Sequence, residues 1–355
     1  MNTSFEFFPP KTDLGKEKLL KITKKLSSFS PEYLSVTFGA GGSTREGTLE
    51  TCILIKDTGA QACPHLSGIG ASKELIKEIL SQYRVNGFKK IVALRGDLPS
   101  GIGGFGDFPY ALDLIKFVKT IEEDFSIEIA AYPEIHPDAE SENSDFKNFL
   151  DKVNAGADGA ITQFFFEESA YYDFMEKCEK EKVSIPITPG IMPIHDFEAL
   201  IRMATNCSAN VPQWLKEGME QYSNSNDQVK YGIEVIIDLC EKLLKCGAPG
   251  IHFYTVNREE PTSLIIKNLD LGGGIGIRYN SERTISIGLY AKKILSISKQ
   301  LKCNIILEPG RILVGESGIL VSKVLYLKKS LKNHFAIIDT GMNDLIRPAL
   351  YNSEH

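Results

Sequence analysis

A chain of 355 residues, 43% of them hydrophobic, has length for about two domains and enough apolar material to fill a core. Its net charge of -6 excludes a broad nucleic-acid surface, which needs clustered positive charge. It contains no apolar run of about eighteen residues, as a membrane span requires.

The start, MNTSFEFFPP, has neither the basic region nor the apolar run of a secretion signal, so a cytoplasmic protein is expected. Seven cysteines (Cys52, Cys63, Cys178, Cys207, Cys240, Cys246 and Cys303) stand singly, without a C-x-x-C pair. This pattern suits reduced thiols, most of them small core residues, better than a disulfide framework or a zinc site.

Short β-rich runs then recur along the chain. They are SFEFFP (4–9), YLSVTF (33–38), ACPHLS (62–67), IVALRG (91–96), IEIAAYP (127–133), ITQFFF (161–166), IPITPGI (185–191) and IHFYTV (251–256). Amphipathic stretches separate them. KELIKEILSQYR (73–84) repeats its apolar residues at spacings of three and four, and YGIEVIIDLCEKLLKCG (231–247) ends on a glycine. Alternation of this kind fits an open doubly wound sheet or a parallel barrel. The count of eight strands favours an α/β (β/α)8 TIM barrel.

The polar residues point the same way. Glu6, Thr37, His65, Arg95 with Asp97, Tyr132 with His136, and Gln163 all fall at or just beyond the end of a predicted strand. Barrel strands converge there on one face, the face that carries active sites. Turn chemistry also puts polar groups at single strand ends, but six in succession predict one site.

Each residue has more than one reading. Glu6, among aromatics, would have its carboxyl pushed toward neutrality by an apolar setting, as a general acid needs; an ordinary strand-end glutamate is the alternative. Arg95 and Asp97, around a turn glycine, suit a phosphate and a ring system, or simply form a surface ion pair. Tyr132 could stack on a flat cofactor and His136 could donate to a phosphate. With Glu134 they fall short of a zinc site, which wants a third ligand nearby. Gln163 could read a heterocycle edge or cap its own strand. The glycine-rich FGAGGSTREG (38–47) is not a dinucleotide fingerprint, and LGGGIGI (271–277) is weak evidence for one, since close backbone packing explains a glycine run equally well.

After about residue 268 the rhythm changes. LDLGGGIGIRY (269–279), a helical stretch (287–301), NIILEPGR (304–311), ILVSKVLYL (319–327) and FAIIDTGMNDL (335–345) follow without a flexible linker, and no finished second unit is expected before His355.

FEFFPP (5–10), LSVTFGA (34–40), PHL (64–66), IVALRGDLP (91–99), AAYPEIHP (130–137), AGADGAITQFFF (155–166), ITPGIMPI (187–194) and HFYTVNR (252–258) together resemble the bacterial methylenetetrahydrofolate reductase family, in order and in spacing. The resemblance implies a barrel at residues 1–268 that holds FAD without a Rossmann fold. It makes Glu6 the general acid that opens the five-membered ring of methylenetetrahydrofolate to an iminium, and puts Asp97 beside flavin and folate. Gln163 would contact pterin and nicotinamide in turn, and Arg258 would lie near the substrate. Implied flavin contacts are Thr37, Phe38, Ala40, His65, Arg95, Gly96, Asp97, Ala111, Tyr132, His136, Ala139, Asp145, Asn148 and Lys152. The implied reaction is ping-pong, with NADH (or NADPH) as reductant and 5-methyltetrahydrofolate as a product that feeds methionine synthesis. A homo-oligomer and no metal are further expectations. Two positions depart from the family pattern: Phe38 stands where a tyrosine is common, and Asp151 where a basic residue often precedes the lysine. The leading helix of some relatives is also missing.

LDLGGGIGI, LEPGR (307–311) and IIDTGMNDLIRPALYNSEH (337–355) resemble diaminopimelate decarboxylase, a pyridoxal-phosphate enzyme with a barrel of its own. By that likeness Gly273 and Glu308 to Arg311 would bind the cofactor phosphate, and Arg311, Arg347 and Tyr351 the substrate. That family's Schiff-base lysine belongs to an early strand absent here, and its C-terminal catalytic cysteine and glutamate are absent too. Residues 269–355 are therefore expected to be an incomplete, non-functional fragment, poorly ordered or non-natively packed and prone to aggregate. A chimeric fusion near residue 269 accounts for the pattern. The competing readings are a non-catalytic chimeric product and a pyridoxal-phosphate decarboxylase, which the missing lysine opposes.

Overall fold

The computed structural model describes residues 2–38, 45–96, 104, 106–121 and 124–268, and beyond them 287–288, 290–292, 294–295, 323–329 and 334–339. The chain divides into two units. The first contains the described residues up to Asn268, and the second contains a two-stranded antiparallel hairpin, Val324–Lys329 with His334–Ile338.

The first unit is a (β/α)8 barrel. Its strands are β1 (Asn2–Phe7), β2 (Tyr33–Val36), β3 (Ala62–Ser67), β4 (Lys90–Leu94), β5 (Ser126–Ala131), β6 (Gly159–Thr162), β7 (Ile187–Thr188), β8 (Gly190–Ile191) and β9 (Gly250–Tyr254). All neighbours pair in parallel in the order β7-β6-β5-β4-β3-β2-β1-β9-β8. The two ends of that order, β7 and β8, are one strand interrupted at Pro189. Its first half pairs with β6 and its second with β9, so the barrel closes through IPITPGI. The break has a cause, since proline has no N–H to give a ladder. Its carbonyl still accepts from the His252 N–H at 3.0 Å. Gly190 then passes so close to its neighbours that a Cβ would lie 2.1 Å from the Thr162 carbonyl oxygen and 2.6 Å from the Tyr254 ring.

Helices follow each strand: α1 (Asp13–Ser27), α2 (Arg45–Asp57), α3 (Lys73–Val85), α4 (Ala111–Ile121), α5 (Glu142–Asn154), α6 (Glu168–Lys180), then α7 (Phe197–Cys207), α8 (Gln213–Glu220) and α9 (Ser225–Lys245), and finally α10 (Thr262–Lys267). Their sequences carry the usual signals. In α3, Ser72 caps the Leu75 N–H at 3.2 Å, and Ile76, Ile79, Leu80 and Tyr83 form the buried stripe. In α5, Ser141 and Ser144 cap one another reciprocally. No helix among the described residues is long and apolar enough to cross a membrane.

The period-two alternation of the strands sorts the two cores. Phe5, Phe7, Leu34, Val36, Ile91, Ala93, Ile127, Ile129, Ala160, Ile251 and Phe253 face outward and pack under the helices. Tyr33, Cys63, Val92 and Ile161, with Leu94 and Tyr254 against them, fill the barrel interior. The interior is a packed plug, so a ligand has to sit at an end of it. At the N-terminal end the plug is sealed by Glu128, 7% exposed, and Lys90, whose Nζ lies 2.8 Å from Glu128 and 2.9 Å from Glu32.

The sequence reading differs from the fold in detail. β6 stops at Thr162, so Gln163 to Phe166 lie past the strand, and α9 begins six residues before the predicted 231. In the first case apolar composition runs beyond the hydrogen-bonded strand; in the second the helix starts in the polar segment SNDQVK, capped by Asn224, before the apolar pattern begins. The readings for Gly273, Glu308, Arg311, Arg347 and Tyr351, and for Ala40 and Asp97, lie outside the described residues.

Candidate active site

Glu6 and His65 come together at the C-terminal mouth of the barrel because each is an inward residue on its strand, β1 and β3. Glu6 Oε2 lies 3.3 Å from His65 Nε2 and 3.8 Å from His252 Nε2. His252 is wholly buried and is held from behind by Ser4, with Oγ and Nδ1 2.7 Å apart. Tyr254 closes the group edge-on to the His252 ring at 5.2 Å, and its hydroxyl donates to the Thr162 carbonyl at 2.7 Å. The Nε2 atoms of both histidines are sealed from solvent without a hydrogen-bond partner, as is Thr37 Oγ1.

These contacts correct the expectation for Glu6. Burial does raise its carboxyl, but contact with His252 and His65 and their charge outweighs burial and holds it at about 2. The apolar neighbours in SFEFFP are outward residues on the same strand, so they never surround the carboxylate. In the free site Glu6 is therefore ionised.

A second group of residues lines the adjoining loops. Arg95, just past β4, donates to Asp138 at 2.6 Å, a partner 43 residues away; the pair expected with Asp97 lies outside the described residues. The next residue, Gly96, has φ +85°, and a Cβ there would lie 1.9 Å from Ser67 Oγ. Only glycine lets the loop turn so tightly over β3. The Tyr132 and His136 rings meet edge-to-face at 4.6 Å. Asp145, in the first turn of α5, accepts from the His136 N–H at 2.8 Å, and the Ala139 N–H donates to the His136 carbonyl at 2.9 Å. Lys152, one to two turns further on, donates to the Ala130 carbonyl at 2.7 Å. Burial lowers its amine to about 8, with Asp145 opposing. Burial likewise lowers His136, against the pull of Asp138 and Asp145.

Asn148 lies exposed on α5, Ala111 half-buried at the start of α4, and Phe38 half-buried after β2. Gln163 caps its own strand end, Oε1 accepting from the Phe164 N–H at 3.1 Å. With Tyr132, Glu134, Phe164 and Cys207 it lines a small cavity. Arg258 is exposed and lines another with His195, Asp196, Glu198 and Gln228.

Sequence reasoning missed Ser4, His252 and Tyr254. A signal was available: in NTSFEF and GIHFY the polar residues alternate with phenylalanine and isoleucine, the pattern of strands with one polar face. A closed barrel already makes the first and last strands neighbours; what no pattern could supply is the register that sets Ser4 opposite His252.

Comparison with known proteins gives two family matches. The family model Methylenetetrahydrofolate reductase matches residues 1–270, and the pyridoxal binding domain of pyridoxal-dependent decarboxylases matches residues 251–315. The 5,10-methylenetetrahydrofolate reductase of Pectobacterium carotovorum subsp. carotovorum is 41% identical over 271 residues, covering 76% of this chain and 90% of the relative. That of Escherichia coli (strain K12) is 38% identical over 277 residues, covering 78% and 93%. Among solved structures, an uncharacterized protein from Clostridium thermocellum that binds two copies of 5-methyl-5,6,7,8-tetrahydrofolic acid shares the fold. Its TM-score is 0.55 at 18% identity, over 75% of this chain and 93% of that one.

Proposed function

The chain belongs to the methylenetetrahydrofolate reductase family, and from that premise we propose that it reduces 5,10-methylenetetrahydrofolate to 5-methyltetrahydrofolate with FAD as carrier and NADH, or NADPH, as donor. The observation that carries this reading is the pairing, at one barrel end, of an ionisable carboxylate with a separate set of side chains that can donate to an anion. Glu6, His65 and His252 form the first, and Arg95, His136 and Lys152 the second.

The residues fit a flavin nucleotide. Thr37 Oγ1 is a buried polar atom without a partner at the mouth, and such an atom wants a ligand's donor or acceptor. Lys152, Arg95 and His136 are of the type that meets phosphate. Bound FAD would supply a two-electron hydride carrier. Asp97 and Ala40 are assigned to the same site from the family resemblance, with Phe38, Gly96, Ala111, Tyr132, Ala139, Asp145 and Asn148 as its further contacts. Arg95 has to leave Asp138 to serve a phosphate.

Glu6 supplies the proton chemistry. Opening the five-membered ring breaks the bond between the bridging carbon and the leaving nitrogen, and that nitrogen takes a proton while the carbon becomes an iminium. Glu6 has to be loaded with a proton for this. A substrate ring packed on the mouth removes its residual solvent contact, and desolvation favours the neutral carboxyl. Gln163 leaves its own backbone to read first the nicotinamide and then the pterin. The exposed Arg258 meets an anionic group of the substrate.

Further readings rest on the family resemblance: a cytoplasmic homo-oligomer supplying methyl groups for methionine synthesis. For residues 269–355 we propose a non-functional segment related to diaminopimelate decarboxylase, joined as a chimeric fusion. Without a Schiff-base lysine it could not carry out pyridoxal-phosphate chemistry.

The test is anaerobic. FAD-loaded protein is mixed with NADH, and the flavin absorbance is followed. Bleaching, and then recovery on adding methylenetetrahydrofolate, is the expected result. A protein that folds but binds no FAD, or whose absorbance never recovers with the folate, overturns the reading.

A further inference from the structure

The turn after β9 is held in an unusual backbone state. Val256 and Asn257 have φ +50° and +56°, consecutive left-handed residues without a glycine. Asparagine tolerates this region, whereas a β-branched valine is strained there. The strain is offset by bonds to a segment almost 250 residues away. The Thr255 hydroxyl donates to the Glu6 carbonyl at 2.6 Å. The Asn257 side chain makes two bonds to Phe8, accepting from its N–H at 2.8 Å and donating to its carbonyl at 2.8 Å.

The paired strands end at Glu6 opposite Tyr254, and Pro9 and Pro10 follow Phe8 with no N–H to offer. Asn257 thus continues the parallel ladder after the backbone has turned away. It fixes the chain on the far side of Glu6, while the same turn sends Arg258 outward, its N–H donating to the Thr255 carbonyl at 2.9 Å.

We propose that Asn257 is a positioning residue for the reductase reaction: its side-chain amide clamps the end of β1 so that Glu6 faces His65 and His252, and couples that placement to Arg258. The assignment rests on the role proposed above for Glu6. The groups that face Glu6 are His65 on β3 and His252 and Tyr254 on β9.

Asn257→Gly tests it, because glycine keeps the positive φ without strain and removes the side chain that makes both bonds to Phe8. Two readouts are taken on the full chain. The first needs no cofactor: the Glu6 carboxyl carbon is followed by NMR at pH 4.5. Wild type should show a carboxylate, and N257G a carboxyl protonated to about half or more, since a displaced Glu6 returns to its ordinary range. The second is the pair of half-reactions. The folate-dependent step should fall about tenfold to a hundredfold, as for a catalytic group misplaced by about 1 Å, with NADH-dependent bleaching within about twofold of wild type. Leu19→Ala, a core truncation on α1, controls for lost stability and should leave the Glu6 signal in place.

An unchanged Glu6 signal in N257G, or an equal fall in both half-reactions, overturns the proposal. A wild-type protein that fails the flavin test but shows the Glu6 difference sinks the function reading and leaves the clamp standing.

Discussion

Oε2 of Glu6 lies 3.3 Å from Nε2 of His65 across the mouth of the barrel, and this contact, with that of His252 behind it, sets the charge of the site. Folding lowers the Glu6 carboxyl from 4.5 to about 2. A carboxyl depressed in this way stabilises the fold fully above pH 4.5, and the contribution is lost as pH falls toward 2. Glu6→Gln should therefore flatten the acid unfolding curve between those values, measured by circular dichroism at fixed urea. If the variant keeps the slope of the wild type, the carboxylate is not paired as described. The same variant should lower folate reduction about 10²–10⁴-fold while sparing NADH-dependent flavin bleaching.

Lys152 gives a pH dependence of the opposite sense. Its amine is lowered to about 8 by burial, so the fold bears the cost of a buried charge below pH 8 and is relieved of it as pH rises toward 10.5. Thermal scans between pH 8 and 10.5 should show this rise in wild type and not in Lys152→Met. A bound phosphate would pull the proton back onto the amine. FAD affinity, read by fluorescence quenching, should accordingly weaken as pH climbs past 8, and a flat profile would count against Lys152 as a phosphate partner.

At the other end of the barrel, Lys90 neutralises Glu128. Lys90→Met leaves a buried carboxylate alone and should cost about 3–5 kcal/mol in urea unfolding, whereas the double change with Glu128→Leu should recover most of it. Flavin binding should not change, because this pair lies across the plug from the mouth. Additive losses in the double variant would show that the two do not act as a pair.

Gly190→Ala places a methyl against the Thr162 carbonyl, where the interrupted strand closes the barrel. A backbone oxygen cannot swing aside, so a loss of about 1–3 kcal/mol is expected. A variant as stable as wild type would mean that β8 shifts freely.

A chain ending at residue 268 should unfold cooperatively and retain whatever flavin reduction the full chain has, because α10 already completes the eighth strand–helix unit. Loss of folding on removing residues 269–355 would overturn the reading of that segment as a non-functional fragment.

Much of the barrel was legible in the chain itself. ACPHLS and KELIKEILSQYR carry their periodicities so plainly that β3 and α3 begin where the sequence reading starts them. IPITPGI was harder: it reads as one strand and is one, yet Pro189 splits its pairing between two partners. Of the residues proposed for the site, His65, Arg95, Tyr132, His136 and Lys152 were accessible from strand ends or from the family resemblance. The environment of Glu6 was not. Its nearest neighbours in the chain are phenylalanines, and they face the helices.

The sequence by itself determined the alternation of strand and helix, the outward apolar faces and the position of polar groups at strand ends, because these depend on spacings of two and 3.6 residues within one segment. Only the tertiary structure decided that Ser4 stands behind His252, that two imidazoles rather than phenylalanines meet Glu6, and that Asn257 ends the ladder of a strand near the start of the chain. The ionisation of a carboxyl depends on charges and solvent within a few ångströms in space. Barrel closure alone brings the first and last strands that close.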